Sequence, residues 1–352
     1  MWQQMRIQTV TIIISVSFGL IFFGFYLVAH NFFAIVHPPP TSAPLAVQEA
    51  YWKERIHMIG GSAAYEELVS SVKGFDFYKQ HFQAHIFGDA LYTEVGLDGV
   101  TVCDWRLYGG CMHQYMNRAV MDHGIASITA LDRDCKGVIS CQHGIGHGIL
   151  SALGYTFSDL QKTLALCHTL PDETPIFGCA GGAAMEYNFR NLLGGASFNA
   201  RTPDPDWLAP CDRLSGDDAR ACYFWQPTWW AVFVSTQQES ASDPAFKHMA
   251  DLCHSISDKT YMYTCIAGTG FSVTLKRTPD QAVHLCDMMY ADAGESLLCR
   301  VNLALTLKGM LVQNPEIACE GLPAEAQAYC KAEVSQQGRR VPPITPAEIQ
   351  TL

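Results

Sequence analysis

The chain has 352 residues, of which 49% are hydrophobic and 16% are charged, and its formal net charge is −11. A chain of this length and composition can bury a substantial core, and a single repetitive domain can use all of it. An acidic surface repels phosphate and no Lys/Arg-rich stretch is present, so the composition argues against nucleic acid as a partner.

The N-terminal segment, residues 1–37, is predicted to be a short cytoplasmic stub followed by a transmembrane signal anchor. No Asp, Glu, Lys or Arg lies between Arg6 and Glu49, and about 20 consecutive apolar residues cross a bilayer core. A cleaved signal peptide has a shorter apolar core, and no clear cleavage site precedes the proline run at 38–40. Because the positive charge lies on the N-terminal flank, the main domain is predicted to be periplasmic or extracellular, with the membrane as a partner.

Composition divides the rest of the chain into three parts. Residues 38–48 are predicted to form a Pro/Ala/Ser-rich linker. Residues 49–334 are predicted to form an extracytoplasmic Cys-rich helical-repeat domain, and residues 335–352 a flexible tail. Alternating β-branched residues with hairpin turns are scarce in the large domain. The predicted fold class is therefore all-α.

All fourteen cysteines lie beyond residue 100, and none forms a C-x-x-C pair. An even number of cysteines in an oxidising compartment is typical of a disulfide framework. Alignment of the surrounding sequence predicts seven disulfides between neighbours along the chain. These are Cys103–Cys111, Cys135–Cys141, Cys167–Cys179, Cys211–Cys222, Cys253–Cys265, Cys286–Cys299 and Cys319–Cys330.

The segments around these cysteines recur along the chain. An apolar segment leads to the first cysteine of a pair, a short polar turn follows, and a segment rich in Gly, Ala and aromatic residues surrounds the second. Two second segments, beginning at Cys141 and Cys265, share the pattern C-x-x-G-x-G. This pattern predicts disulfide-stapled helical hairpins, in which the first cysteine closes one helix and the second opens the next. Stacked hairpins form either an α-solenoid or a closed α/α ring, with glycines allowing close helix packing.

Five histidines stand out as candidate metal ligands. His113 and His143 each lie two residues after a second cysteine, and later repeats keep the cysteine without the histidine. That loss argues against a purely structural role for these two residues. His147 follows His143 at a spacing of i, i+4, and His81 and His85 have the same spacing, which places two imidazoles on one helix face. Chance, or histidines satisfied by backbone carbonyls, is the alternative explanation for such pairs.

Glu186 is the candidate catalytic residue. It follows Cys179 in a segment of small residues, and the alternatives are a solvated charge, a metal ligand or a base that activates bound water. Imidazole and carboxylate ligands suit zinc, iron or copper, so the expected cofactor is a transition-metal ion of unspecified identity. The H-E-x-x-H motif is absent because Gly144 occupies its second position. A three-histidine hydrolytic site and a dinuclear oxygen site both remain open, as does whether the protein is an enzyme.

A second function belongs to a different class. Helical repeats often present concave binding surfaces, so a non-catalytic scaffold that binds another envelope protein or peptide is the alternative. The aromatic run at residues 223–230 is a candidate contact for such a partner, although core packing explains it equally simply.

Four short motifs resemble a largely uncharacterised family of secreted or membrane-anchored Cys/His-rich helical proteins from microbes. These motifs are Ala84-His85-x-x-Gly88, Gly109-Gly110-Cys111-x-His113, Cys141-x-His143-Gly-x-Gly-His147-Gly148, and Gly178-Cys179 through Met185-Glu186. The resemblance covers about residues 78–190. It implies that the same histidines and glutamate are functional, and it carries no activity with it.

Overall fold

The computed structural model of the chain describes residues 37–135, 138–171, 174, 176–189, 201–202, 205–236, 243–274 and 277–335. The chain divides into two compact units, residues 1–40 and 41–352, and the fold described below is that of the second. The predicted transmembrane anchor and the predicted tail after residue 335 lie outside the described residues. Within the described part, no helix combines the length and apolar character needed to cross a membrane.

The described residues form fourteen α-helices and no β-strand, so the all-α prediction is confirmed. The helices are α1 (Leu45–Ile59), α2 (Gly61–Ser71), α3 (Phe77–Val95), α4 (Gly110–His123), α5 (Ile128–Cys135), α6 (Ile139–Leu153), α7 (Phe157–Cys167), α8 (Cys179–Asn188), α9 (Gly216–Thr236), α10 (Asp243–His254), α11 (Lys259–Ser272), α12 (Pro279–Met289), α13 (Ala293–Gly309) and α14 (Ala324–Ser335). The first of them begins at Leu45, inside the segment that the sequence assigns to a linker.

Short polar side chains start many of these helices. Asp76, Asp258 and Asp292 accept hydrogen bonds from backbone N–H groups in the first turns of α3, α11 and α13. Thr156 and Thr278 start α7 and α12 with reciprocal capping boxes. Such caps satisfy N–H groups that have no partner inside the helix. The polar turns seen in the sequence therefore set where the helices begin.

All seven predicted disulfides are present, and none of the fourteen cysteines is free. The predicted pairing is confirmed. Each bridge joins cysteines that are 6 to 13 residues apart in the sequence. A set of seven disulfides indicates an oxidising or extracellular compartment.

The position of the cysteines in the hairpins differs from the prediction in several places. Cys103 lies outside any helix, and Cys211 and Cys319 lie in 3₁₀ turns rather than at the end of an α-helix. In the later hairpins the second helix begins upstream of its cysteine, as α9 does at Gly216, six residues before Cys222. An aspartate, threonine or glycine in the preceding turn can start a helix without the cysteine, so the disulfide joins the body of that helix to its neighbour.

The helices that carry the second cysteines pack side by side in sequence order. Helix α3 packs on α4, α4 on α6, α6 on α8, α8 on α9, α9 on α11 and α11 on α13. The turn before α4 then contacts the other end of this series. The hydroxyl of Tyr108 lies 3.3 Å from Oγ1 of Thr306 in α13, and its ring centroid lies 4.5 Å from that of Phe271 in α11.

Glycines set the spacing between these helices. A Cβ on Gly144 or Gly268 would lie 2.7 and 2.0 Å, respectively, from a carbonyl oxygen of the preceding helix of the series. A Cβ on Gly146 or Gly270 would lie 2.0 and 2.3 Å from a carbonyl oxygen of the following helix. The two C-x-x-G-x-G segments therefore make the same pair of contacts, and the predicted close packing at glycine is confirmed.

The aromatic run of α9 belongs to the core. Tyr223, Phe224, Trp225, Trp229 and Trp230 are each at most 4% exposed. Their burial removes the candidate surface that the sequence offered for a protein or peptide partner. Burying rings of this size contributes strongly to stability because each removes a large apolar area from water.

Candidate metal centre

The five candidate histidines lie on three helices that pack consecutively. His81 and His85 lie on α3, His113 lies on α4, and His143 and His147 lie on α6. All five are buried, with at most 5% of each side chain exposed. The i, i+4 spacing presents each pair on one helix face, and in both cases that face is turned towards α4.

His113 occupies the centre of the cluster. Its ring centroid lies 5.3 Å from that of His81 and 5.8 Å from that of His85. The corresponding distances to the two histidines of α6 are 4.6 Å for His143 and 4.9 Å for His147. The structure thus brings together all five histidines that the sequence singled out.

Two triads within this cluster are positioned to hold a metal ion. One consists of His81, His85 and His113, and the other of His113, His143 and His147. In each triad, one nitrogen from every ring lies within 4.8 Å of the others. Nitrogens that share a tetrahedral zinc ion at ~2.0–2.1 Å are roughly 3.3 Å apart, so the rings of either triad would have to move closer together around an ion.

The orientation of His81 is set by an unusual backbone turn. Nδ1 of His81 lies 3.0 Å from the carbonyl oxygen of Leu107, so this nitrogen carries the proton and donates it. Leu107, Tyr108 and Gly109 have φ values of 55°, 58° and 72°, the left-handed region that L side chains rarely adopt. This turn aims the carbonyl at the ring. Nε2 of His81 therefore keeps its lone pair, at 3.0 Å from Nε2 of His85.

The orientation of His147 is set by Glu186 of α8. Nδ1 of His147 donates to Oε2 of Glu186 at 2.8 Å, and both side chains are buried. Oε1 of Glu186 accepts from Tyr155 at 2.7 Å and from Ser151 at 3.1 Å. Nε2 of His147 is buried without a hydrogen-bond partner among the described residues. A carboxylate that fixes the proton on one nitrogen leaves the other as a ligand, an arrangement common behind metal-bound histidines.

The side chain of His113 is fully buried. Neither Nδ1 nor Nε2 of His113 meets a hydrogen-bond partner in the described part of the chain. Gly109 leaves room beside it, because a Cβ there would lie 2.9 Å from Nε2 of His113. Trp105 and Trp225 border the neighbouring ring of His143, with centroids at 6.3 and 5.4 Å.

Burial lowers the pKa of three of these imidazoles, so that they are neutral near pH 7. Loss of solvent lowers the pKa of His81 to about 4. The same desolvation, together with repulsion from neighbouring histidines, lowers the pKa of His85 and of His113 well below the usual value. Neutral imidazole is the form that binds metals, so no proton has to leave these three rings near neutral pH before one nitrogen coordinates.

Glu186 is placed next to the triads rather than within one of them. The sequence offers it as a ligand or a base, whereas the hydrogen bonds give it the role of orienting His147. Sequence reasoning missed three further groups, which are the carbonyl of Leu107 and the hydroxyls of Ser151 and Tyr155. The i, i+4 spacing from His147 to Ser151 is the one pattern that could have indicated one of them.

Two other histidines pair with carboxylates near the surface. Nε2 of His168 lies 2.9 Å from Asp218, and Nε2 of His254 lies 2.9 Å from Glu295. Both imidazoles are about half exposed and belong to neither triad, so they serve as controls for the experiments below.

The chain matches no protein-family model, no curated protein and no solved structure. The resemblance based on the four motifs therefore stays a prediction, and the function has to be argued from the geometry of the cluster.

Proposed function

We propose that the protein is an extracytoplasmic metal-binding protein that holds a transition-metal ion in the histidine cluster. The observation that carries this proposal is His113, a fully buried imidazole with no hydrogen-bond partner for either nitrogen among the described residues. Buried polar groups in proteins are nearly always paired. A metal ion between His113 and its neighbours supplies the missing partner.

A core-packing role explains the cluster less well. Leaving a polar group buried and unpaired costs roughly 1–3 kcal/mol, and His113 and His147 together present three such nitrogens. Five apolar side chains would fill the same volume without this cost. Helices α3, α4 and α6 instead bring histidines together, two of them with a proton fixed away from Nε2 by Leu107 and Glu186.

The donor set is made of imidazoles, which suits zinc, iron or copper. His81, His85, His113, His143 and His147 would hold the ion, and Glu186 would orient His147. A three-histidine site leaves a coordination position open, where a bound metal supplies Lewis acidity to water or another ligand. Because both oxygens of Glu186 already accept hydrogen bonds, we assign it an orienting role in preference to that of a base.

The proposal includes a closed ring of helices outside the cytoplasm. The contact between Tyr108 and Thr306 joins residues 198 positions apart and links the first helices of the series to its last. This contact favours a ring over an open solenoid. The disulfides favour an oxidising compartment, and the uncharged stretch after Arg6 favours attachment to the membrane.

Metal analysis of the purified full-length chain tests the proposal. We expect near-stoichiometric zinc, copper or iron after purification without chelators, and loss of that metal when His113 is changed to Ala. The matched control is His168→Ala, which removes a surface imidazole and should keep the metal. A folded wild-type chain that takes up none of these ions, even when they are added, would refute the function.

A further inference from the structure

The structure assigns two metal ions to the cluster, one in each triad, with the His113 imidazole bridging them. This inference rests on the proposed function, because it concerns how many ions the same histidines hold. The two triads share one residue, His113, and divide the other four histidines by helix.

The number of donors exceeds what one ion takes up. A zinc site uses four ligands, and a catalytic one uses three from the protein. The cluster presents five buried imidazoles. No larger set of these histidines meets the separation that defines each triad within the described residues. One ion could therefore engage one triad and would leave the remaining pair without a metal.

The two pairs also approach His113 in different orientations. The rings of His143 and His147 make angles of 33° and 27° with the ring of His113, so they lie roughly parallel to it. The rings of His81 and His85 make angles of 70° and 75° and meet it edge to face. The histidine pair on α3 and the pair on α6 thus lie on opposite sides of α4, and they approach His113 with different ring orientations.

His113 is the residue common to both triads, and both of its ring nitrogens are available for such a role. Nδ1 of His81 is engaged by Leu107, and Nδ1 of His147 is engaged by Glu186. Each of these two rings can therefore offer only Nε2, and an ion bound by His81 would replace the 3.0 Å contact between that atom and Nε2 of His85. Neither nitrogen of His113 has a partner among the described residues. When both coordinate, the ring gives up its one proton to solvent, and two metal–nitrogen bonds replace one nitrogen–hydrogen bond.

Zinc titration of the metal-free full-length chain decides the number of ions. We expect two Zn²⁺ per chain, and this measurement on the wild type does not depend on any variant folding. One Zn²⁺ per chain would overturn the two-ion inference while leaving the metal-binding function intact. No Zn²⁺ at all would count against that function itself.

Paired substitutions test the division into triads. The double variant His81→Ala/His85→Ala should keep one Zn²⁺, and so should His143→Ala/His147→Ala. The control His168→Ala/His254→Ala should keep two, since its imidazoles pair with surface carboxylates. Circular dichroism establishes that each variant is folded. A folded double variant of the cluster that loses both ions, or keeps both, overturns the assignment.

Loading the chain with copper tests whether the His113 ring bridges the two ions. In the chain loaded with two Cu²⁺ ions, coupling through the His113 ring should reduce the electron paramagnetic resonance intensity well below that expected from the copper content. Each cluster double variant, with a single Cu²⁺, should give the full intensity for its content. Full, uncoupled intensity from the doubly loaded wild type would overturn the bridging role of His113.

Discussion

Glu186 and His147 form a buried pair in which Nδ1 of the imidazole donates to the carboxylate at 2.8 Å. The two residues lie on neighbouring helices, α6 and α8, and 39 positions apart in the sequence. Tyr155 and Ser151 hold the other carboxylate oxygen. The proton on Nδ1 is thereby fixed, and Nε2 is left to serve the cluster.

Changing Glu186 to Gln should weaken metal binding about 10- to 100-fold, the usual effect of removing a group that orients a metal-bound histidine. The loss arises because the neutral amide orients His147 less firmly and no longer offsets the charge of the ion. Competition with a chelator of known affinity measures it. Asp218→Asn, which alters the surface partner of His168, should leave the affinity unchanged, and an equal loss in both variants would contradict the assigned role.

The metal-free chain should lose stability as the pH falls from 7 towards 4. The pKa of His81 is lowered to about 4 in the folded protein, whereas an unfolded histidine titrates near 6.5. Across this window the unfolded chain binds a proton that the folded chain does not, which destabilises the fold. At one pKa unit per ~1.4 kcal/mol, His81 alone accounts for about 3 kcal/mol at pH 4.

Urea unfolding at several pH values measures this dependence. Carboxylates also contribute, so the informative quantity is the difference between the wild type and His81→Gln. The variant should show a shallower fall in the free energy of unfolding between pH 7 and pH 4. Parallel curves for the two proteins would show that His81 is not held neutral in the fold.

Changing Gly182 to Ala should damage both stability and metal binding. A Cβ on Gly182 would lie 1.9 Å from the carbonyl oxygen of His143, so α6 and α8 must separate, at a cost of about 3 kcal/mol or more. The same separation moves Glu186 away from His147. Gly309→Ala is the control, because its Cβ would meet side-chain rings and no backbone atom among its nearest neighbours, with Tyr108 at 3.1 Å and Trp105 at 3.8 Å. Chemical unfolding should show a large loss of stability, and a metal titration a loss of affinity, for Gly182→Ala. Both losses should be smaller for Gly309→Ala.

Two disulfides of similar loop length should differ in their effect on the metal. Cys167–Cys179 and Cys319–Cys330 close loops with separations of 12 and 11 residues. Replacing either pair by Ser should lower the free energy of unfolding by about 3 kcal/mol. Only the first should weaken metal binding as well, because Cys179 starts α8, the helix that carries Glu186. Equal metal affinity in both variants would argue against a role for α8 at the site.

A reporter fusion after Leu352 tests the predicted topology. A reporter that is active only in the cytoplasm should be silent there, and one that is active only after export should give a strong signal. The expectation follows from the position of Arg6 and from the seven disulfides, which persist outside the cytoplasm. The opposite pattern of reporter activity would contradict the predicted extracytoplasmic location.

Features that depend on local sequence were the predictable ones. Each disulfide joins neighbouring cysteines, and the histidine pairs follow helix periodicity, so both could be derived without knowing the fold. The proximity of His113 and His143 also followed, because each lies two residues after a second cysteine and equivalent positions on adjacent helices face the same side. The 4.6 Å between the centroids of these two rings agrees with that reasoning.

Contacts between residues far apart in the sequence could not be predicted from these local patterns. The role of Glu186 depends on how closely α8 approaches α6, which the contact at Gly182 determines. The left-handed turn at Leu107 depends on packing against α3 and has no signature in residues that ordinarily avoid positive φ. Helix α9 begins at Gly216, in the polar turn before Cys222, whereas the cysteine alignment placed the start of the helix at the cysteine.

The seven disulfides connect only residues 6 to 13 positions apart, which has a consequence for how the chain assembles. A chain that leaves the cytoplasm with its N-terminal side first can oxidise each hairpin as soon as that hairpin emerges, without selecting among distant thiols. The five histidines of the cluster and Glu186 all precede residue 187, so the helices that carry them emerge before the second half of the chain. Contact between Tyr108 and Thr306 has to wait until α13 arrives. Maturation is therefore expected to run from local oxidation to metal loading and finally to closure.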